Sequence, residues 1–446
     1  MNMRIESSYF AKKAFLIETT GARFEFVKDN IKIYQGLDKN ARRLLATLSF
    51  ENEPNFIKVD STNDHILFGS QDVSIGIYGD STLIISPKKN QSFEVRGSFK
   101  PNYEVRYKGE LLLIDEKGGM EIYPQRYEAG YEVKKVALGK IDWTASYKLN
   151  AGERVMIAAF PGKTFSWEKS FRCNIITTGG SLGLGVDTFY GQMPSDWEIK
   201  RWAKNFHVII VFFNGFYKDS HINGIENPAG PYIVANEPEF MRFLETAHAA
   251  GMKVTVYCSL YSYAHRHKDY AMFYGQISEL NDRFNIDGVY VDGLTFDGGG
   301  YKIDNKMVNW EMIRRFRQLF GAEGVLIYHG TSLGSPVATV PNIDAYCDAT
   351  LNGEGVAFQS IDDPYIKYQV RKYGISNTVA LWKPGPHPDS ITHKDITEAI
   401  IRMNGRKRWH GSVRRPVRLG VEYKYYLDLL EESKEAYLES NRQTKN

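Results

Sequence analysis

The sequence predicts a multi-domain chain: an N-terminal antiparallel β-sandwich, then a (β/α)8 TIM barrel, then a short C-terminal helical piece. Three observations predict it. The 446 residues exceed what one core holds, since single cores rarely grow past ~250–300 residues. Residues 1–165 read as short strands between turn signals. From residue 166 onward, apolar runs alternate with helical patterns.

In residues 1–165, segments such as "ARFEFV", "NIKIY", "DVSIGIYG", "STLIIS" and "SFEVRG" are short, β-branched or aromatic, and often alternating. Val73, Ile75 and Ile77 share one parity, with Ser74 and Gly76 on the other, as in a half-buried strand. Turn signals "TTGA", "EKGG" and "NAGE" separate the runs. In residues 166–418, apolar runs at 173–178, 207–213, 253–258, 288–292, 324–329, 343–348 and 377–382 have the texture of buried parallel strands. Seven such runs in this span favour a closed barrel over an open doubly wound sheet, with the eighth strand placed in 411–418. Helices are expected at 236–251, opened by Asn236 and ended by Gly251, and at 305–321. The remainder, 419–446, reads as one amphipathic helix with a polar end.

Composition narrows the function classes. Hydrophobic residues make up 43% and charged residues 24%, and the net charge is +3. That balance gives no footprint for nucleic acid or a membrane surface, so neither partner is expected. No run approaches the ~20 consecutive apolar residues of a membrane helix. The first twenty residues hold no sustained apolar core of a secretory leader, and a cytoplasmic location is the expectation. Cys173, Cys258 and Cys347 are far apart, without CxxC spacing, and read as buried thiols rather than zinc ligands or disulfide partners. The basic cluster at 402–418 reads as a solvated face or as contacts between the domains, and His265 and His267 as a solvated helix start. "DGGG" at 297–300 lacks the Lys-Ser/Thr of a phosphate loop and reads as a βα loop. Tyr, Phe and Trp are abundant, at 28, 25 and 7. All-β domains are aromatic-rich in any case, yet flat rings with polar edges also suit sugars.

The stretch "FNIDGVYVDGLTFDGGG" (284–300) poses the functional question, because a carboxylate stands at each end of an apolar strand. Side chains alternate along a strand, so Val289 and Val291 share one face while Tyr290 and Asp292 share the other. With the valines packed on helices, Asp292 points into the barrel at the C-terminal end of its strand, the rim where such barrels carry their chemistry. Asp287 lies at the opposite end and is expected to cap the incoming turn. Other strand ends bring Asn214, Tyr257, His329, Asp348, Glu354, Trp382 and Lys383 to the same rim. Carboxylates, a histidine, an amide and aromatics together suit a sugar. Two carboxylates also suit cleavage of a glycosidic bond, in which one protonates the leaving oxygen and the other attacks or activates water, ~5–5.5 Å apart in retaining enzymes and ~6.5–9.5 Å in inverting ones. Asp292 is the nucleophile candidate, and Asp348 and Glu354 compete as acid/base. Each residue has a plainer reading. Asp292 could be a strand-end cap, Asp348 and Glu354 loop carboxylates paired with nearby bases, His329 a hydrogen-bonded strand-end histidine, and Tyr257 and Trp382 rim packing.

The strand "IDGVYVDG", following a β-sandwich of about 165 residues, resembles the retaining glycoside hydrolases of the α-galactosidase and α-glucosidase superfamily, a pattern shared by bacterial glycosyl-hydrolase-like proteins. The resemblance implies a nucleophilic aspartate ending the fourth barrel strand and an acid/base ending the sixth. With 173–178 counted as the first strand, these fall on Asp292 and on Asp348 or Glu354. It further implies an oligosaccharide or glycoside substrate, with Asn214, Tyr257, His329, Trp382 and Lys383 binding hydroxyls and ring faces, and neither cofactor nor metal. Two other readings stay open: a carbohydrate-binding protein on a degenerate barrel, and a barrel lyase or isomerase using His329 or Lys383 as base.

Overall fold

The computed structural model describes residues 6–163 except 11–13, 28–29, 37–41, 52–55, 63, 108–109, 116, 126–129 and 134–142. It then describes 173, 175–178, 193–204, 206–213, 216–218, 221–222, 225–226, 229–267, 270–292, 305–330, 341–352, 378–381, 408–409, 413–414 and 435. The chain separates into two compact units. One comprises Met1–Phe165 with Ser335–Ala345 and Arg371–Ile375, and the other comprises the rest.

The first unit holds two eight-stranded antiparallel sheets. One runs in the spatial order Glu6–Phe10, Ala14–Glu18, Ala22–Val27, Asn30–Gln35, Arg43–Phe50, Gln91–Gly97, Thr144–Leu149, Gly130–Val133. The other runs Tyr103–Tyr107, Glu110–Asp115, Gly118–Pro124, Val155–Phe160, Thr82–Pro87, Val73–Tyr78, His65–Gly69, Ile57–Ser61. Alternation puts Phe24, Phe26, Ile31 and Ile33 of the first sheet and Val73, Ile75 and Ile77 of the second into one shared core, so the sheets face each other as a sandwich. Gly97 is required by that packing: a Cβ there would lie 1.8 Å from the ring of buried Trp143. A short helix, Pro341–Asp344, also belongs to this unit, and Asn342 Nδ2 reaches Met156 Sδ of the Val155–Phe160 strand.

The second unit is built on an all-parallel sheet. Its strands, in chain order, are the first (Ile175–Thr178), second (Val208–Val211), third (Lys253–Ser259), fourth (Gly288–Asp292), fifth (Val325–Gly330), sixth (Ala349–Asn352) and seventh (Thr378–Leu381). Each pairs with the next. Arg408–Trp409 pairs with the seventh and Val413–Arg414 pairs with the first. The helix Glu237–Ala249 forms where its pattern predicts, with Asn236 Oδ1 accepting the Glu239 N–H at 3.2 Å and Gly251 beyond its end at φ +76°. The helix Asn305–Phe320 ends before Gly321 at φ +63°. Of the tail from 419, Glu435 alone is described, and it is helical.

One expected element is different. The run 343–348 is not a strand ending in Asp348. It comprises the end of the Pro341–Asp344 helix and a turn, and the sixth strand begins after it, at Ala349. Asp348 therefore stands at the entry of its strand. Its backbone N–H donates to the Leu326 carbonyl, and its Oδ2 accepts the Leu326 N–H at 2.9 Å. Asp287 does the same one residue before the fourth strand, donating its N–H to the Val254 carbonyl and accepting the Val254 N–H on Oδ2 at 2.7 Å. In both cases the acceptor catches the second residue of the preceding strand. A basic side chain from the last turns of the helix before that strand adds a further bond: His248 Nε2 to Asp287 at 2.8 Å, and Arg317 Nη2 to Asp348. Gly288, next to Asp287, has no room for a side chain, because a Cβ would lie 1.9 Å from the Val325 carbonyl oxygen.

The bond to Asp287 raises the His248 pKa above its ordinary value, against a smaller opposing effect of burial. A raised folded value means that this contribution to stability is complete below the unfolded imidazole value of ~6.5 and fades as pH rises through the folded value. His248→Gln should therefore lower the urea midpoint most at about pH 5.5, with the gap to wild type narrowing by about pH 9. A gap that widens with pH would refute the coupling.

Candidate active site

The register of the parallel sheet decides which side chains meet at its C-terminal end. Tyr257 pairs with Tyr290 and Ser259 with Asp292. Val291 pairs with Tyr328, so the next step places Asp292 beside His329. Strand parity then puts Tyr257, Tyr290, Asp292 and His329 on one face. Tyr257, Tyr290 and His329 are 2–3% exposed. The Asp292 side chain keeps 27% of its surface, so the carboxylate is the solvent-facing member of the group.

Both carboxylate oxygens are held. The Tyr257 hydroxyl donates to Oδ2 at 2.7 Å. His329 Nδ1 lies 2.7 Å from Oδ1 and 3.1 Å from the Tyr290 hydroxyl. Burial, and then the charge of Asp292, pushes the Tyr257 pKa well above the ordinary phenol value, so Tyr257 stays a neutral donor. The neighbouring Cys258 thiol is pushed up by the same two causes and stays protonated. Beneath the carboxylate the rings pack on one another, with Tyr257 at 5.7 Å from Tyr290 and 5.0 Å from Phe212 between centroids. The third strand's end is fixed from the side: the Tyr217 hydroxyl donates to the Tyr257 carbonyl at 2.7 Å, and the Ser259 N–H donates to the Tyr232 hydroxyl at 3.0 Å.

The structure thus brings Asp292, Tyr257 and His329 together and adds Tyr290 and Phe212. Parity already placed Tyr290 on the Asp292 face, but nothing in its own segment shows that its hydroxyl meets a histidine 39 residues away. Asp348 does not join them. It sits at the other end of the sheet, where Arg317 spends its guanidinium on Asp348 and on the carbonyls of Tyr346, Gly321 and Gly324. The expectation that Asp348 crowns the rim is corrected: the residue enters its strand instead of leaving it. Asn214, Glu354, Trp382 and Lys383 lie outside the described residues. Among the described residues, no group of three or more His, Cys, Asp or Glu side chains is arranged to hold a metal ion. None of the described helices is long and apolar enough to cross a membrane.

No protein-family model matches the chain, and no curated protein does. Solved structures with a similar course include the galactosidase domain of an α-galactosidase–sucrose kinase, AgaSK, with 10% identity, a TM-score of 0.47, and 96% of this chain and 86% of that one covered. The GH36 α-galactosidase AgaB from Geobacillus stearothermophilus matches with 10% identity and a TM-score of 0.44, covering 96% and 86%. A GH31 family sulfoquinovosidase from E. rectale matches with 11% identity and a TM-score of 0.40, covering 97% and 82%.

The opposite placements of the two aspartates separate stability from chemistry. Asp348→Ala should cost about 1–3 kcal/mol by stranding the Leu326 N–H. Arg317→Met should cost about 3–5 kcal/mol, because it leaves a carboxylate and three carbonyls without their buried cation. Urea unfolding measures both. Any activity that depends on Asp292 should persist per folded molecule in each variant.

Proposed function

We propose that the chain is a glycoside hydrolase that retains anomeric configuration, with Asp292 as nucleophile and Glu354 as acid/base, on a closed (β/α)8 barrel. The observation that carries the reading is the Asp292 carboxylate: it faces solvent at the C-terminal end of the fourth strand and is fixed on both oxygens by Tyr257 and His329. A carboxylate held this way is oriented, as attack at an anomeric carbon requires. Closure of the barrel is supported by the sheet's two edges, which are formed by Arg408–Trp409 and Val413–Arg414. Trp409 and Val413 are four positions apart, a reach of at most about 14 Å, which supports reading both edges as one eighth strand.

Glu354 enters by chain position. It follows Asn352, the last residue of the sixth strand, by two residues, whereas Asp348 precedes that strand. That order along the chain supports Glu354 over Asp348 as the acid/base. In the first half-reaction the Glu354 carboxylic acid gives its proton to the glycosidic oxygen. An Asp292 oxygen bonds to the anomeric carbon as the carbon–oxygen bond to the leaving group breaks. In the second, the Glu354 carboxylate takes a proton from water, whose oxygen displaces Asp292. Asn214, Trp382 and Lys383 are the candidates for contacts to sugar hydroxyls and ring faces. A lyase or isomerase with His329 as base would need that ring to reach the ligand, but it is 2% exposed and bonded to Asp292.

A panel of aryl α- and β-glycosides tests the proposal. Asp292→Ala should lower turnover of the accepted substrate by about 10³-fold or more, and added azide should restore aryl release with inverted product. A fluorinated activated glycoside should leave one sugar mass on the peptide containing Asp292. Full turnover by Asp292→Ala would remove the mechanism.

A further inference from the structure

The surroundings of the Asp292 carboxylate contain a contact that glycosidic cleavage does not by itself require. His329 Nδ1 meets two oxygens at once, Asp292 Oδ1 at 2.7 Å and the Tyr290 hydroxyl at 3.1 Å. A single imidazole nitrogen carries one proton or one lone pair. With the lone pair on Nδ1, the 2.7 Å approach to an ionised carboxylate would set two acceptors against each other. With the proton on Nδ1, both contacts are attractive: the N–H points at the carboxylate, and the tyrosine oxygen lies at its side as a weaker second acceptor. Burial supports that arrangement, since Tyr290 and His329 are 3% and 2% exposed and water does not compete for the proton.

We propose that His329, backed by Tyr290, is a positioning residue for Asp292 and not a ligand for sugar hydroxyls. Its Nδ1–H holds Oδ1 while the Tyr257 hydroxyl holds Oδ2, so the carboxylate has one orientation at the rim. Rotation of the carboxylate about its Cβ–Cγ bond would break both bonds at once. Tyr257, 2% exposed, belongs to the same device. The consequence for the reaction rests on the nucleophile role proposed above, but the proton's location does not.

Two measurements separate these levels. In protein labelled with ¹⁵N-histidine, the His329 ring, identified by its loss in His329→Asn, should show a protonated Nδ1 coupled to a far-downfield proton that disappears in Asp292→Ala. A His329 ring protonated on Nε2 alone would overturn the proposal, whether or not the protein cleaves glycosides. In kinetics, Asn carries an N–H near the Nδ1 position, whereas Gln carries one near Nε2. His329→Leu should lower kcat about 100-fold with KM little changed, the loss expected for a misplaced reacting group. His329→Asn should recover about tenfold or more of that loss, and His329→Gln should not. Equal losses for Asn and Gln, or a change confined to KM, would place His329 among substrate contacts and refute the positioning role. A protonated Nδ1 in a protein that turns over no glycoside would uphold the arrangement and remove the glycosidase reading instead.

Discussion

The in-register pairing of the parallel strands is the constraint on which the site depends. Tyr257 lies opposite Tyr290 and Ser259 opposite Asp292, and the pairing of the fourth strand with the fifth brings His329 level with Asp292. A slip of one residue in any of these strands would turn its inward set outward. A slip of the third strand would remove the Tyr257 hydroxyl, and a slip of the fifth would remove His329. The register is pinned at the far end of the sheet. Asp287 catches the Val254 N–H and Asp348 catches the Leu326 N–H, each with a basic side chain from a preceding helix. Those two clamps set the offset between strands three and four and between strands five and six. The Asp287 carboxylate at the entry end thus helps determine what the Asp292 carboxylate at the exit end can touch.

This is why two aspartates can flank one short strand without competing. Asp287 and Asp292 differ by five positions, so alternation puts them on opposite faces as well as at opposite ends. Asp287 meets structural partners: its side chain accepts the Val254 N–H and bonds His248 near the end of its helix, and its own N–H donates to the Val254 carbonyl. Asp292 is bound by two side-chain donors that themselves sit in the sheet's interior, and its remaining surface faces out. The glycine between the clamp and the strand is tied to the same geometry, since any side chain at Gly288 would strike the Val325 backbone that the fifth strand contributes.

Much of this was legible in the residues. The alternation of Val73, Ile75 and Ile77 identified a half-buried strand, and Asn236 and Gly251 bracketed their helix. The parity of Tyr290 and Asp292 identified the inward face of the fourth strand. Asp348 was not legible, because an apolar run ending in an acid looks alike whether it enters or leaves a strand. Ile343 owes its burial to the short helix of the first unit, while Tyr346 and Cys347 lie in the turn before the sixth strand. The partner that explains Asp348, Arg317, is 31 residues upstream on another element. The burial of Tyr257 and His329 was hidden for a related reason. Strand parity fixes which way a side chain points but not how deep it lies, since depth depends on the stagger between neighbouring strands.

The choice of donors around Asp292 bears on how such a carboxylate could react. A carboxylate that attacks a carbon loses its negative charge as the bond forms. Any interaction stronger with the charged form than with the ester is partly lost in the transition state and raises the barrier. A lysine or arginine in contact would hold the anion by about 1.5–3 kcal/mol per bond, against about 0.5–1.5 kcal/mol for a neutral donor. The structure supplies a phenol that burial keeps protonated, and the tautomer proposed for His329 adds an imidazole that needs no positive charge to donate through Nδ1. Asp348, which has only to stay put, is given a guanidinium. That guanidinium, with the Leu326 N–H, fixes Asp348 at the entry of its strand, where a held charge braces the register and no bond has to form.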